Sequence, residues 1–274
     1  MTIFMEDFIK ADLHAHLATR EPTYSFRKLV EAMNKKSVES GLQGIVEMSN
    51  SEKDTRYRDM KERAKLEGCA PIDLGNAFYV DGKIFASALE IPTKYGHFLS
   101  VGVKEGIKMP EGVEPEDAVK RVCDNCGYHP AFVVPHMFSR DGMAEYLNKN
   151  PNFIEEIEGI EVWNGSAVIP IVNNQRNFSG ANKKAQDFFN EVSKDYNIGA
   201  IISTDGHSLG EIFSSYTVIQ KPDLSGKEAF ANSLRSGIRE SMGGGIRSPS
   251  YSGAIDHAVK MTGIITLGKL GINI

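Results

Sequence analysis

Apolar and polar positions follow two rhythms along this chain, and the rhythms take turns. Short runs rich in β-branched and aromatic residues read as strands: "FIKADL" (8–13), "GIVEM" (44–48), "IFASALEI" (84–91), "HFLSVGV" (97–103), "AFVVP" (131–135), "IEGIEVW" (157–163), "GAIIS" (199–203) and "YTVIQ" (216–220). Segments of helical period stand between several of them: "SFRKLVEAMNKKSVESG", "DTRYRDMKERAKLEG", "PEDAVKRVCDNCG", "NKKAQDFFNEVSKDYN" and "SGKEAFANSLRSG". In the first, Ser25 is a candidate N-cap, Phe26, Leu29, Val30 and Met33 share a face, and Gly41 is the expected stop. Strand, helix and strand repeated in this way predict a largely parallel sheet. "NAFYVDGKIFASALEI" breaks the rhythm, because Asp81-Gly82 between two apolar runs is the signature of a hairpin turn.

No linker rich in Pro, Gly or Ser divides the chain, so residues 1–274 are expected to form a single domain. "MGGGIRSPSYSG" (242–253) reads as a surface loop, and "AIDHAVKMTGIITLG" (254–268) as a closing helix on which His257 is structural. The net charge of −5 is interspersed, with no basic block, which argues against strong nonspecific binding to nucleic acid. No apolar stretch is long enough to cross a bilayer and no basic-then-apolar leader opens the chain, so a cytoplasmic location without a membrane partner is expected. The three cysteines suit a reducing compartment. Cys123 and Cys126 have CxxC spacing, but they lie on an amphipathic helix closed by Gly127 and no second pair exists. Packing is their expected role.

The histidines change the picture. Five of the seven fall at strand ends or just beyond: His14 and His16 after "FIKADL", His97 at the head of "HFLSVGV", His136 after "AFVVP", and His207 after "AIISTD". Glu90 ends one strand and Asp205 stands two residues before His207. Parallel-sheet enzymes gather their chemistry at carboxyl ends of strands, so these distant pieces are expected to converge on one mouth. Imidazole nitrogen with carboxylate oxygen suits zinc, manganese or iron, and a carboxylate can bridge two ions. A metal-free polar network explains the set poorly, because so many buried titratable groups are costly without a compensating cation. The chain is expected to leave regular strand geometry at His14-Ala15-His16 so that both rings meet one ion.

These residues occur in motifs whose order resembles that of the polymerase and histidinol phosphatase (PHP) family along nearly the whole chain. "DLHAH" followed five residues later by Glu21 resembles its first motif, "GLQGIVEMSN" its second, "SALEIPTKYGHFLSVGV" its third and "AFVVPH" its fourth. "IEGIEVWNGSAV", "RNFSGANKKAQDF" and "ISTDGHS" are similar to the stretches that follow. The resemblance implies a distorted (β/α)7 barrel with up to three divalent ions (Zn, Mn or Fe) at its mouth. One would take His14, His16, Glu90 and Asp205, a second Glu90, His97 and His136, and a third Glu21 and His207. Met48-Ser49-Asn50 departs from the family's Thr-Asp-His, replacing an imidazole with a weak carbonyl donor, and Glu47 is a possible compensator. Two firmly held ions and a weak or absent third are therefore expected.

The implied activity is hydrolysis of a small phosphate ester (a phosphomonoester, nucleotide or short oligonucleotide) by a metal-bound hydroxide, with Asp205 and Glu90 holding the metals and His207 assisting the leaving group. Arg20, Lys94, Arg140 and Arg176 are candidate phosphate clamps, Arg176 and Arg20 foremost. Trp163 could stack on a base, although core packing is its more ordinary role, and His129 reads as structural. The expected partner is a small phosphorylated substrate, with no stable nucleic-acid complex. Three other readings are an amidohydrolase-like C–N hydrolase, which would want a metal-bridging lysine not evident here, a metal-binding module without catalysis, and a nuclease-like or polymerase-associated role, of which the acidic balance disfavours a polymerase subunit.

Overall fold

A computed structural model describes residues 7–17, 25–168, 180–241 and 243–246. The strands are β1 (Phe8–Asp12), β2 (Gly41–Met48), β3 (Ile72–Asp73), β4 (Ala77–Val80), β5 (Lys83–Thr93), β6 (Gly96–Val101), β7 (Ala131–Val134), β8 (Gly159–Asn164), β9 (Gly199–Ser203), β10 (Ser215–Gln220) and β11 (Gly244–Ile246). The helices are α1 (Phe26–Lys35), α2 (Arg56–Leu66), α3 (Pro115–Cys126), α4 (Ala144–Lys149), α5 (Ala181–Val192) and α6 (Lys227–Arg239). The proposed closing helix with His257, and most of the Gly-rich loop before it, lie outside the described residues.

All the strands join one mixed sheet, in the order β11-β10-β1-β2-β5-β6-β7-β8-β9, with β4 and β3 added beside β5. β1, β2 and β5 run parallel, as do β7, β8 and β9. β6 is antiparallel to both its neighbours, so the two parallel sets share one direction. The sheet curls almost into a barrel. Across the seam, Ile202 N donates to Thr217 Oγ1 at 2.8 Å and the same hydroxyl donates back to Ile202 O at 2.9 Å, linking β9 to β10.

The nearly closed sheet agrees with the distorted barrel implied by the resemblance, and strict strand–helix alternation is broken at two places. β5 reaches β6 through the residues between Thr93 and Gly96 alone, and so short a connection can join only antiparallel strands; a parallel crossover needs a dozen or more residues. β10 likewise returns antiparallel beside β1. The expected hairpin at Asp81-Gly82 joins β4 to β5, with both residues at positive φ (49° and 80°).

The helices pack apolar stripes on this sheet. In α1, Phe26, Leu29 and Met33 are buried, and Ser25 caps the N-terminus as expected. Glu67 adds to that cap, accepting from Phe26 N at 2.8 Å and Arg27 N at 2.9 Å. The helix stops at Lys35, before Gly41: Ser37 takes a left-handed conformation (φ 56°), and Gly41 already begins β2. α3 closes at Gly127 (φ 72°) as expected, and its Cys126 is buried in the core beside Val122 and Phe132. Trp163 packs half-buried on that cluster. No described helix is long and apolar enough to cross a membrane.

Candidate metal centre

Because the two parallel sets share a direction, the carboxyl ends of β1, β2, β5, β7, β8 and β9 open on one side. β1 delivers His14 and His16, β5 Glu90, the end of β7 His136, β8 Glu161, and the end of β9 Asp205, all nine-tenths or more buried. The departure at His14-Ala15-His16 is slighter than expected. Ala15 forms a β-bridge to Gly206 and His16 N donates to Gly206 O at 2.7 Å, and residues two apart in an extended segment already share a face.

Within this cup the Nε2 atoms of His14 and His16 lie 3.2 Å apart. Asp205 Oδ1 is 3.6 Å from the first and 3.8 Å from the second. Glu90 divides its two oxygens. Oε2 lies 2.9 Å from His16 Nε2, while Oε1 lies 2.6 Å from His97 Nδ1 and 3.1 Å from His136 Nε2. Two sets of donor atoms therefore converge, His14–His16–Asp205 and His14–Glu90–His136, each within 4.8 Å of one another. His97 approaches through Glu90. His207 stacks its ring on His16 at 5.1 Å, and its Nδ1 donates to Asp205 O at 3.0 Å. Glu21, Arg20 and Arg176 lie outside the described residues.

The backbone is bent to make this arrangement. His136 and Asp205 both have positive φ (27° and 48°), a conformation that costs on the order of 1–3 kcal/mol outside glycine and survives where its surroundings impose it. Asp12, wholly buried, accepts from Thr204 N at 3.1 Å, Thr204 Oγ1 at 2.8 Å and Phe213 N at 3.0 Å, tying the end of β1 to the turn that carries Asp205. Burial pushes the Asp12 carboxyl up to about 6, despite those three donors.

Glu161 belongs to the site and escaped the sequence reading. It sits between Ile160 and Val162 in an apolar strand, and the signal was that one carboxylate where a core side chain was due. His14 Nδ1 donates to its Oε1 at 3.2 Å, which fixes the ring and leaves Nε2 facing the cup. His136 N at 2.6 Å, Asn164 Nδ2 at 2.9 Å and the Ser203 hydroxyl also donate to it.

The electrostatics suit a cation. Burial opposes charge on His14, yet the carboxylates of Asp205, Glu161 and Glu90 outweigh it and push the imidazole up to about 10. Burial works against Glu90 as well, but His97, His136 and His16 hold it well below the usual carboxylate range. His16 goes the other way: burial, only partly opposed by Glu90, pushes it down, so its nitrogen is kept as a lone-pair donor. The three carboxylates thus demand positive charge at the point where imidazole nitrogens meet. Nitrogen and oxygen donors in this mixture fit a divalent transition metal.

The end of β2 is built differently. Asn50 is exposed, and Glu47 does not turn to the cup: its Oε1 accepts from Tyr57 N at 2.9 Å and its Oε2 lies 3.6 Å from Lys108 Nζ. The idea that Glu47 compensates for Asn50 is thereby corrected. Of the other cations suggested as clamps, Lys94 pairs with Glu114 at 2.9 Å and Arg140 is exposed.

The fold is similar to that of solved structures that include a predicted PHP-like metal-dependent phosphoesterase. Endonuclease Q in complex with a 27-mer duplex bearing an abasic lesion at its active site superposes with a TM-score of 0.54 at 14% identity, over 86% of this chain and 58% of that one. A two-domain protein of Bacteroides vulgatus containing a predicted PHP-like metal-dependent phosphoesterase gives 0.53 at 15% identity, over 85% of this chain and 64% of that one. PsfC from Pseudomonas syringae PB-5123 gives 0.58 at 12% identity, over 94% and 98%. The chain thus spans less than two-thirds of the first two structures. No family model matches the sequence. No curated protein matches it either. The PHP resemblance read from the motifs holds at the level of the fold. One expectation is overturned: a small phosphorylated partner with no stable nucleic-acid complex does not fit a fold that holds duplex DNA in endonuclease Q.

Proposed function

We propose that this chain, acting as one domain, is a metal-dependent hydrolase of phosphodiester bonds in nucleic acid. The observation that carries the reading is the division of Glu90, one oxygen toward His16 and the other toward His97 and His136, which is the disposition of a carboxylate shared by two cations. His14, His16, Asp205 and Glu90 would hold one ion, and Glu90, His136 and His97 a second. Bound there, such ions supply charge to the phosphoryl oxygens and acidify a water for attack on phosphorus.

The protein's own groups do the rest. Glu161 orients His14 through Nδ1, and Asp12 holds the turn that presents Asp205. His207, pinned by the Asp205 carbonyl and stacked on His16, presents Nε2 as the group that passes a proton to the leaving oxygen. The fold shared with endonuclease Q supports a nucleic-acid substrate.

The test is turnover of single-stranded, duplex and abasic-site oligonucleotides by wild type and Asp205→Asn with Mn2+ or Zn2+. Cleavage by wild type, lost in Asp205→Asn, is expected. Stoichiometric metal with no cleavage of any phosphodiester would overturn the reading in favour of a binding module.

A further inference from the structure

A cavity of about 630 Å³ opens beside the metal centre, and His97 is common to both. Its floor is two stretches of backbone pressed together. A Cβ on Gly96 would stand 2.7 Å from the carbonyl carbon of Gly142, and one on Gly142 only 2.2 Å from Met137 O, so neither position has room for a side chain. His97 N donates to Asp141 O at 2.7 Å and closes the same joint. The β5–β6 turn is stiffened by Thr93, whose hydroxyl donates to Gly96 O at 2.5 Å, and it lifts Lys94 and Tyr95 to the rim.

Tyr95 is 42% exposed, unusual for a ring in a defined turn. It stacks on buried Tyr146 with centroids 4.8 Å apart and planes inclined by 25°. Tyr146 is itself wedged edge-on against Phe153 and donates its hydroxyl to Glu116. Tyr95 is therefore a rigid aromatic face backed by the core. Lys94 Nζ lies over the ring at 5.3 Å and pairs with Glu114 at the surface, a pairing that contributes little, so a flat ligand could take the lysine's place on the tyrosine.

The lining is electrically mixed: Lys94, Arg140 and Lys149 against Glu111, Asp141 and Glu145. A polyphosphate would gain little from such a balance. A flat neutral ring with donor and acceptor edges would gain much, stacking on the tyrosine and meeting carboxylates and cations at its rim. Arg140 lines the cavity and is exposed to solvent, so its guanidinium is accessible to a phosphate.

We propose that this cavity is a base-binding subsite, in which an unpaired nucleobase next to the scissile phosphate stacks on Tyr95 while Arg140 takes the adjoining phosphate. The proposal rests on the nucleic-acid phosphodiesterase reading above. Its test uses the Mn2+-loaded chain and a single-stranded oligonucleotide carrying 2-aminopurine, with the strand checked to be intact at the end of each measurement. Wild type should quench the 2-aminopurine on binding. Tyr95→Ala should lose the quench and bind about tenfold or more weakly. Tyr95→Phe should keep both, and Arg140→Ala should weaken binding a few-fold while keeping the quench. Leu66→Ala, at an 85% exposed position outside the cavity, should match wild type. If Tyr95→Ala, melting like wild type, binds and quenches as wild type does, the subsite is wrong even where oligonucleotides are cleaved. A Tyr95-dependent quench without cleavage of any phosphodiester would leave the subsite standing and remove the hydrolase.

Discussion

Two strand ends on the same rim of this sheet carry buried carboxylates and put them to opposite uses. At β5, Glu90 faces three imidazoles and is held ionised by them. At β2, Glu47 faces a helix start, accepting from Tyr57 N and lying near Lys108, and burial pushes its carboxyl up. The neighbouring Asp54 is likewise turned inward, accepting from Met48 N at 2.8 Å and from Arg56 at 2.6 Å. Where histidines meet the carboxylate, the arrangement calls for a cation. Where a backbone amide and a lysine meet it, groups of the protein stand in for the cation, although burial still holds the carboxyl above its ordinary range. Position 50, an exposed asparagine at the second strand end, agrees with that division.

The largest effect expected from breaking this contrast is at the cup. Glu90→Gln removes the one carboxylate common to both ligand groups, and turnover of any phosphodiester should fall by on the order of a thousandfold or more, with metal content down in the same preparation. Next comes Glu161→Gln, which leaves every proposed ligand in place and alters the acceptor that His14 shares with the His136 amide, Asn164 and Ser203. Metal affinity, measured by competition with a chelator, should fall by roughly 10–100-fold, the usual scale for such supporting groups. At β2 the readout changes kind. Glu47→Ala strips the acceptor from the Tyr57 amide and should cost about 1–3 kcal/mol of stability in a denaturant melt, while metal content stays at the wild-type level.

The smallest effect concerns pH. The Glu47 carboxyl titrates higher in the folded chain than its ordinary 4.5. As pH rises through that range the unfolded chain loses its proton first, so ionisation costs the folded state stability that it keeps at lower pH. Glu47→Gln, permanently neutral, should therefore gain on wild type as pH rises, and melts in metal-free buffer across pH 4–7 would record it. A flat difference would mean that Glu47 is not strained by burial.

The contrast also explains which parts of the site were legible in the sequence. His14, His16, Glu90, His136 and Asp205 stand at the ends of recognisable apolar runs, so a local pattern and the rule about strand ends were enough to bring them together. Asn50 stood out only against the family motif that "GLQGIVEMSN" resembles. Glu161 was not legible: it lies inside a strand, and its partners, His14, the His136 amide and Ser203, come from other strands far along the chain. The reversal at β6 was within reach, because "TKYG" between two strands is too short for a crossover. The cavity beside His97 depends on the backbone approach of Gly96 to Gly142, which no periodicity announces.

The central claim is that the cup is a cation site, and the most direct measurement is metal content after equilibration with excess Mn2+ or Zn2+ and removal of the unbound ions. Wild type should retain two ions per chain and Asp205→Asn fewer, with Glu47→Ala retaining as many as wild type. Equal retention in wild type and Asp205→Asn, or none in either, would contradict the account.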